Sequence, residues 1–291
     1  MTEADFLARL RMLPLHQGAQ GLTDDTATLA GLTITTDTLV EGIHFLPADP
    51  PQDVAWKLVA TNLSDLAAKG AIVEGILLNY PLGDETWDAA FLDGLSEVLT
   101  ELDCPLLGGD TVTLPNAPRI LTVTAFGRDA PAPPRSGAKA GDALYVTGTI
   151  GDAGAGLAIA RAGTGDPKLL ARYRRPVPRL ADGRALAPRV NAMMDLSDGL
   201  LIDASRMAAA SALAVTIDLA AVPLARGVSD PLAAATAGDD YELLFAAPAD
   251  RVLPAPATRV GTFTPGAGLT LTQDNRLIPL PASLGYQHGL R

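Results

Sequence analysis

The first half of the chain alternates between two kinds of hydrophobic pattern. Apolar residues at helical spacing predict three helices, over residues 2–13, 53–69 and 85–102. Gly70 follows the second of these helices and is placed to end it. Alternating or short apolar runs predict four strands, over residues 31–40, 72–78, 105–107 and 120–126. We therefore expect helices and strands to be mixed in this half.

Two of these elements carry polar residues at informative spacing. Side chains alternate between the two faces of a strand, so Thr35 and Asp37 in the strand 31–40 should project from the same face. In the helix 53–69, Asp65 and Lys69 are four residues apart, which predicts an ion pair along one side of the helix.

The second half of the chain shows the same mixture. Strands are predicted over 143–147, 213–219 and 241–246, with weaker candidates after residue 257. One helix is predicted to follow a Gly-rich turn and to end at about residue 162, and two more are predicted over 179–189 and 199–212. Residues 172–179 carry four arginines, and we interpret them as a solvated loop that could screen a phosphate.

A segment rich in Pro, Gly and Ala, residues 129–141, separates the two halves and is typical of a linker. A chain of 291 residues is long enough for two ordinary domains. We therefore predict an N-terminal domain over residues 1–135 and a C-terminal α/β domain over residues 136–291.

Composition excludes several classes of protein. With 48% hydrophobic residues the chain can bury a sizeable core, so it is not disordered. A net charge of −11 has the wrong sign for binding a nucleic-acid backbone. The single cysteine, Cys104, cannot form an intramolecular disulfide, and neither a signal peptide nor a membrane-spanning run is recognisable. We expect a cytoplasmic protein with no nucleic-acid or membrane partner.

Acidic residues next to Gly, Ser or Thr recur along the chain. They lie in residues 23–25, 35–37, 62–65, 108–111, 195–199 and 238–242. Any one of these motifs alone is typical of a turn or a helix cap. Several lie within apolar segments, however, and acids that are buried together need cations. An all-oxygen ligand set favours a hard ion such as Mg²⁺, with ATP or another polyphosphate sharing the metal.

A phosphate also needs hydrogen-bond donors. Residues 107–111 offer the amides of two glycines, and Arg135 offers a guanidinium. The Gly-rich residues 148–156 open a helix; we interpret them as serving close packing, with anion binding by their amides as the alternative. His44 follows Asp37 by seven residues and is either an incidental loop residue or a substrate contact.

An ordered series of motifs resembles the thiamine-monophosphate kinase family of the aminoimidazole-ribonucleotide-synthetase-like ATP-binding superfamily. The motifs are TDDTATL, TTDTLVEGIHF, WKLVATNLSDLAAKGA, LLGGDT, RSGAKAGDALYVTG, RRPVPR, MDLSDGLLIDASRMAAAS and GDDYELLF. The resemblance implies a two-domain α+β or α/β fold. It further implies an N-terminal mixed sheet with helices that pairs across a homodimer, and a C-terminal α/β domain that completes the active site.

The resemblance implies Mg²⁺-dependent, direct in-line transfer of the ATP γ-phosphate to thiamine monophosphate, without a covalent nucleophile or an obligatory base. The implied ATP contacts are Gly109, Asp110, Arg135 and Ser197. The implied ligands of several Mg²⁺ ions are Asp25, Thr35, Thr36, Asp37, Asp65, Asp110, Asp195 and Asp198. The implied contacts to thiamine monophosphate are His44, Asp239 and Tyr286. A monovalent cation such as K⁺ is a further candidate cofactor, whose requirement stays open.

Two positions depart from the family pattern, because Thr23 and Ala237 stand where a glycine is usual. Two alternatives to the kinase also stay open. One is another ATP-dependent reaction of the superfamily, such as formylglycinamidine cyclisation, selenide activation or carbamoyl dehydration. The other is a non-enzymatic domain that binds cations through its acids.

Overall fold

Two β-sheets organise the chain. A computed structural model describes residues 3–115 and 117–287. The helices are α1 (Glu3–Leu10), α2 (Pro51–Lys69), α3 (Glu85–Glu101), α4 (Asp152–Ala162), α5 (Pro167–Arg174), α6 (Leu180–Leu186), α7 (Leu200–Ala210) and α8 (Pro231–Thr236). The strands are β1 (Ala27–Leu29), β2 (Leu32–Val40), β3 (Ile72–Leu82), β4 (Leu106–Thr113), β5 (Ile120–Arg128), β6 (Asp142–Val146), β7 (Ala192–Asp195), β8 (Leu213–Asp218), β9 (Leu243–Pro248), β10 (Thr258–Pro265), β11 (Gly268–Gln273) and β12 (Arg276–Ile278).

The first sheet contains five strands in the order β1-β2-β5-β3-β4. Strand β3 pairs in parallel with β4, and the other neighbours are antiparallel. In the register across the sheet, Asp37 lies opposite Val123, Val123 opposite Leu78, and Leu78 opposite Gly109. This row places Gly109 three strands away from Asp37.

The second sheet contains seven strands in the order β12-β11-β8-β10-β6-β9-β7. Strand β11 runs parallel to β8, and the remaining pairs are antiparallel. One face packs on helix α7, and the other contributes Tyr145 and Phe245 to a second core. The sheet is thus buried on both faces, which explains why every residue of β6 and β7 is buried, without alternation.

Helix α2 lies between the two sheets. Pro51 begins it, and Gly70 ends it in a left-handed conformation at φ 66°. Its first part packs with Val123 of the first sheet, whereas Ala67 and Ala68 pack against the second sheet. Because residues 54–69 are all buried, every polar side chain along them has to find a partner inside the protein.

The fold class and most predicted elements are confirmed, and the differences have local causes. Residues 172–179 are not a loop, because helix α5 runs through residue 174. Asp166 caps its start and Pro167 occupies its first position. Strands β1 and β7 and helix α8 were not predicted, since segments of three to six residues are too short to show periodicity. Over the described residues, no helix has the length and hydropathy needed to cross a membrane.

Candidate functional site

Three acids from separate segments meet between the sheets. Asp25 precedes β1, Asp65 lies on α2, and Asp195 ends β7. One carboxylate oxygen from each lies within 4.8 Å of the others. Asp65 is 8% exposed and Asp195 is 3% exposed. The prediction that acids distant in sequence share one site is thus met for these three residues.

Neighbouring side chains hold this acidic cluster, by which we mean Asp25, Asp65 and Asp195. The Thr35 hydroxyl donates a hydrogen bond of 2.5 Å to Asp65 Oδ2. Arg135 Nη2 donates to Asp25 Oδ1. Two of the three acids are therefore oriented by other parts of the chain: strand β2 holds Asp65, and the segment between the sheets holds Asp25.

The three carboxyl groups do not share the same electrostatic environment. Burial, followed by the charge of Asp195, raises the pKa of Asp65 well above its usual value. Burial, followed by the charge of Asp25, does the same for the pKa of Asp195. Burial also acts on Asp25, but Lys69 and Arg135 outweigh it and lower the pKa of Asp25. The cluster therefore contains one compensated acid and two acids that no cation of the described residues compensates.

Asp37 lies beside the cluster on strand β2. Its backbone N–H donates a hydrogen bond of 2.9 Å to Asn62 Oδ1, which ties β2 to α2. Burial, followed by the charges of Asp25 and Asp198, raises the pKa of Asp37 to about 6. Asp37 therefore adds a fourth acid to the same region of negative potential.

The alternation predicted for strand β2 is present. Thr35 is buried and Asp37 is half-buried on the side that faces the helices, as expected. The Thr36 side chain is exposed on the opposite side and donates a hydrogen bond of 3.0 Å to the Val123 carbonyl. The Thr36 hydroxyl is thus turned away from the acidic cluster, and only its backbone is near that face of the strand.

Two cations are built into this region. Lys69 is 1% exposed, and its ammonium lies 2.5 Å from Asp24 Oδ1 and 3.5 Å from Asp25 Oδ2. Arg135 pairs with Asp25 through its guanidinium. The predicted ion pair between Lys69 and Asp65 is wrong: the ammonium is bound by the acids that precede β1, and it leaves Asp65 uncompensated.

Ser197 and Asp198 lie in the turn between β7 and α7. The Ser197 carbonyl accepts a hydrogen bond of 2.8 Å from the Asp239 N–H. The Asp198 side chain pairs with Arg206 and remains about one quarter exposed, at 26%. Arg206 also bonds to the fully buried Asp203, so a charged network supports the turn.

Gly109 and Asp110 lie elsewhere within one chain. Both are on strand β4, the outermost strand of the first sheet, where every residue is exposed. Three strand separations of ~4.8 Å place Gly109 about 14 Å from Asp37. The expectation that Asp110 joins Asp37, Asp65 and Asp195 in one site is therefore not met inside a single chain.

The residues predicted to bind the acceptor lie on different elements, and a buried lysine links two of them. Lys57 of α2 is 2% exposed. Its ammonium donates to the His44 carbonyl at 3.0 Å and to Asp239 Oδ2 at 2.8 Å, and it lies 4.2 Å from the centre of the Tyr173 ring. His44 and Asp239 are thus held together by a residue of the central helix.

Tyr286 is placed by its backbone. Its N–H donates a hydrogen bond of 2.9 Å to the Asp198 carbonyl, and the residue is 40% exposed. The segment that carries Tyr286 therefore lies against the turn between β7 and α7.

The Gly-rich turn before α4 is used for packing. Asp240 accepts hydrogen bonds from the Gly151 and Ala153 N–H groups at 2.7 and 3.2 Å, so a carboxylate of the protein already occupies the start of α4. A Cβ atom on Gly156 would lie 2.1 Å from the Leu169 carbonyl oxygen. These contacts favour the packing interpretation over anion binding at these amides.

The arginines at 172–179 connect elements rather than face solvent alone. Arg174 pairs with Asp49, and Arg175 pairs with Asp53 and Glu97. Arg179 pairs with Glu242, which also accepts a hydrogen bond of 2.6 Å from the Thr147 hydroxyl. The prediction of a solvated loop is thus wrong, because the ion pairs of these arginines tie α5 and α6 to other parts of the fold.

The acidic cluster fits a hard divalent cation. Its donors are all carboxylate oxygens, the set that such ions prefer. Asp25 Oδ2 is buried and accepts no hydrogen bond from the described part of the chain, and the Lys69 ammonium lies 3.5 Å from it. A cation among these oxygens would compensate the two acids whose pKa values burial has raised.

Sequence reasoning missed three residues that organise the site: Lys57, Asn62 and Lys69. All three lie on α2. The available signal was the position of these polar residues inside a long apolar helix, because a lysine that is buried in such a helix must have acidic or carbonyl partners. The partners themselves are distant in sequence and carry no local signal.

Comparisons with known proteins agree along the whole chain. Two family models match: AIR synthase related protein, N-terminal domain, over residues 23–128, and AIR synthase related protein, C-terminal domain, over residues 139–273. The chain is 41% identical to the thiamine-monophosphate kinase of Escherichia coli (strain K12) and 39% identical to that of Caulobacter vibrioides. These matches cover 92% and 99% of this chain, and 91% of each relative.

Solved structures are similar over nearly the full length. AaThiL complexed with AMPPCP and TMP superposes with a TM-score of 0.86 at 27% identity, covering 99% of this chain and 97% of that chain. Thiamine-monophosphate kinase from Stenotrophomonas maltophilia K279a has a TM-score of 0.77 at 34% identity, covering 94% and 96%. Hydrogenase maturation protein HypE in complex with ATP shares the fold, with a TM-score of 0.73 at 19% identity and coverage of 97% and 94%.

Proposed function

The chain belongs to the thiamine-monophosphate kinase family, and we propose that it transfers the terminal phosphate of ATP to thiamine monophosphate at the acidic cluster. The products are thiamine diphosphate and ADP. The observation that carries this placement is the convergence of Asp25, Asp65 and Asp195 in a buried position between the two sheets. The relatives favour the kinase over the other activities of the superfamily. We place the reaction in the cytoplasm.

We propose Mg²⁺ as the resident ion. Asp25, Asp65 and Asp195 would hold it, with Asp37 and Asp198 at the border of the same region. When bound, divalent ions neutralise the negative charge between ATP and the acceptor phosphate. The Thr35 hydroxyl keeps Asp65 oriented for this purpose through its hydrogen bond. A requirement for K⁺ is tested by comparing the rate in potassium and sodium buffers at constant ionic strength.

The chain's own residues have to align two phosphates rather than supply a nucleophile. The acceptor is a phosphate monoester, whose oxygen is already anionic near neutral pH, so a direct in-line transfer needs no general base. Arg135 pairs with Asp25 and its side chain is 22% exposed, so its guanidinium is our first proposed ATP contact. Ser197, at the turn after β7, is our second proposed ATP contact.

We propose that the acceptor lies between His44, Asp239 and Tyr286. Lys57 fixes the first two of these residues to the central helix, which supports a preformed pocket. Tyr286 would close this pocket from its position against the turn between β7 and α7.

The position of Asp110 leads us to propose a homodimer in which each site is shared. Strand β4 exposes apolar side chains at Leu106, Leu107 and Val112, and an exposed apolar outer strand favours association. Within one chain, Gly109 lies about 14 Å from Asp37. In a dimer, a second copy could bring its own Gly109 and Asp110 to Asp37 of the first copy. The partner's Asp110 would then complete the ligand set, and the partner's Gly109 would complete the ATP contacts.

Subunit mixing tests this arrangement. Asp37→Asn and Asp110→Asn are each expected to be inactive as homodimers. If the two residues come from different subunits, a mixed dimer retains one intact site, so equal mixing restores about one quarter of the wild-type activity. If both residues act in the same chain, each site in a mixed dimer carries one lesion, and mixing restores no activity.

A substrate panel tests the function itself. Purified protein is assayed for ADP release with thiamine, thiamine monophosphate and aminoimidazole precursors in the presence of Mg²⁺ and ATP. Among these acceptors, we expect only thiamine monophosphate to support ADP release. A non-enzymatic cation-binding domain would release no ADP, and a non-hydrolysable ATP analogue would not raise its melting temperature beyond the effect of Mg²⁺.

A further inference from the structure

Lys69 occupies an unusual position for a lysine. It is the last residue of α2, where a cation is favourable for the helix dipole, but a residue with only that role would stay in solvent. Lys69 is instead 1% exposed. Burying an ammonium is strongly unfavourable unless several oxygens replace its water. Its surroundings therefore have to account for its presence.

Four oxygens surround the Lys69 ammonium. Asp24 Oδ1 lies at 2.5 Å and Asp25 Oδ2 at 3.5 Å. The carbonyl oxygens of Met193 and Pro133 accept hydrogen bonds at 3.2 and 3.3 Å. Carboxylate and carbonyl oxygens are also the ligands that a hard metal ion would take. The ammonium thus lies in a shell of the kind that usually holds a cation.

The segments that form this shell also carry the residues of the proposed site. Met193 lies two residues before Asp195 on β7, and Pro133 lies two residues before Arg135. Asp25 is itself a member of the acidic cluster. Lys69 therefore connects three parts of the site, as a bridging ion would.

We propose that Lys69 is a resident cation of the metal centre. It takes the position that a divalent ion would otherwise occupy between Asp24 and Asp25, and so reduces by one the number of ions that each chain binds. Among the described residues, Lys69 and Arg135 pair with Asp24 and Asp25, and no ammonium or guanidinium pairs with Asp65 or Asp195, so these two acids keep the need for metal. This inference rests on the proposed function, because it presupposes that the acidic cluster binds divalent ions.

The test counts metal ions bound by the full chain. Mn²⁺ is titrated into wild type and Lys69→Met, and the free ion is measured by electron paramagnetic resonance. Methionine keeps the length of the side chain and removes its charge. We expect Lys69→Met to bind one more Mn²⁺ per chain than wild type, and Mn²⁺ to raise its melting temperature more than that of wild type. Equal or lower binding by the folded variant overturns the inference.

Lys57→Met is the matched control. Lys57 is equally buried on the same helix, but its ammonium pairs with Asp239 rather than with the acidic cluster. We expect this variant to be destabilised yet to bind the same number of Mn²⁺ ions as wild type. An extra ion in Lys57→Met as well would show that loss of any buried lysine admits metal, and would overturn the specific role of Lys69.

Two further outcomes separate the possible failures. If wild type itself binds no Mn²⁺, the proposed metal centre fails, and the role of Lys69, which presupposes that centre, fails with it. If Lys69→Met does not fold without metal, it is prepared in Mn²⁺ beside the double variant Lys69→Met, Asp24→Asn. Folding of the single variant only with Mn²⁺ supports the inference. Failure to fold at every Mn²⁺ concentration, while the double variant folds, overturns it.

Discussion

Replacing Asp65 with asparagine should make the metal-free protein more stable while abolishing its activity. Asparagine has nearly the same shape, and its Oδ1 can still accept the hydrogen bond from Thr35. The substitution removes only the buried charge. Because burial and Asp195 have raised the pKa of Asp65 well above its usual value, this acid opposes folding at neutral pH in the absence of metal.

The size of the effect follows from the geometry. Two carboxylates at 4.8 Å repel by about 3 kcal/mol at an effective dielectric constant near 20. Asp195 has the largest charge effect on Asp65 and Asp37 adds to it, whereas Lys69 and Arg135 compensate Asp25. Protonation relieves part of this repulsion, so we expect a gain of about 1–3 kcal/mol. At about 2–4 °C per kcal/mol for a chain of this size, the melting temperature should rise by roughly 5 °C.

Thermal unfolding in chelator and in excess Mg²⁺ checks this expectation. Asp65→Asn should melt above wild type in chelator, and Mg²⁺ should stabilise it less than it stabilises wild type. Asp142→Asn is the matched control, because Asp142 is equally buried but accepts hydrogen bonds from the Lys139 N–H and the Asn191 amide. This control should melt below wild type in both buffers. A similar fall for Asp65→Asn in chelator would refute the reasoning.

Other predictions follow from the same contacts. Mg²⁺ affinity, measured by calorimetry, should weaken as pH falls through about 6, because protonation of Asp37 competes with the metal. Constant affinity between about pH 5 and 8 would contradict this prediction. Lys57→Met should raise the KM for thiamine monophosphate more than that for ATP, since it releases Asp239; equal changes in both would contradict a pocket role. Gly183→Ala should lower the free energy of unfolding by about 1–3 kcal/mol in urea titrations, because the Cβ atom of the alanine would lie 2.0 Å from the Ala67 carbonyl oxygen. Unchanged stability would contradict the close packing.

Periodicity predicted the parts of the fold that have a repeating exposed face. Strand β2 is the clearest case, because the alternation of buried and exposed residues placed Thr35 and Asp37 on one side correctly. Strand β7 and helix α5 show the limits. All four residues of β7 are buried, so this strand has no alternation, and the eight residues of α5 bury a single i,i+4 pair, Leu169 and Tyr173, which is too little to establish a repeat.

The acids of the site were recognisable because each stands in a polar motif within an apolar segment. Their cations were not, because the partners of Lys69 are 44 and 45 residues away in sequence, whereas Asp65 is four residues away on the same helix. Local spacing therefore indicated the wrong acid. Asp110 shows a different limit, since a motif can identify a residue without revealing that its strand lies at the far edge of the sheet.

The central claim is that the buried acids between the two sheets carry the phosphoryl transfer. The most direct test measures thiamine diphosphate formed from thiamine monophosphate and ATP by wild type, Asp195→Asn and Asp142→Asn over a range of Mg²⁺ concentrations. We predict rapid formation by wild type and by Asp142→Asn at a temperature where both are folded, and a rate at least about 100-fold lower for folded Asp195→Asn at every Mg²⁺ concentration. Formation by Asp195→Asn at the wild-type rate would contradict the claim.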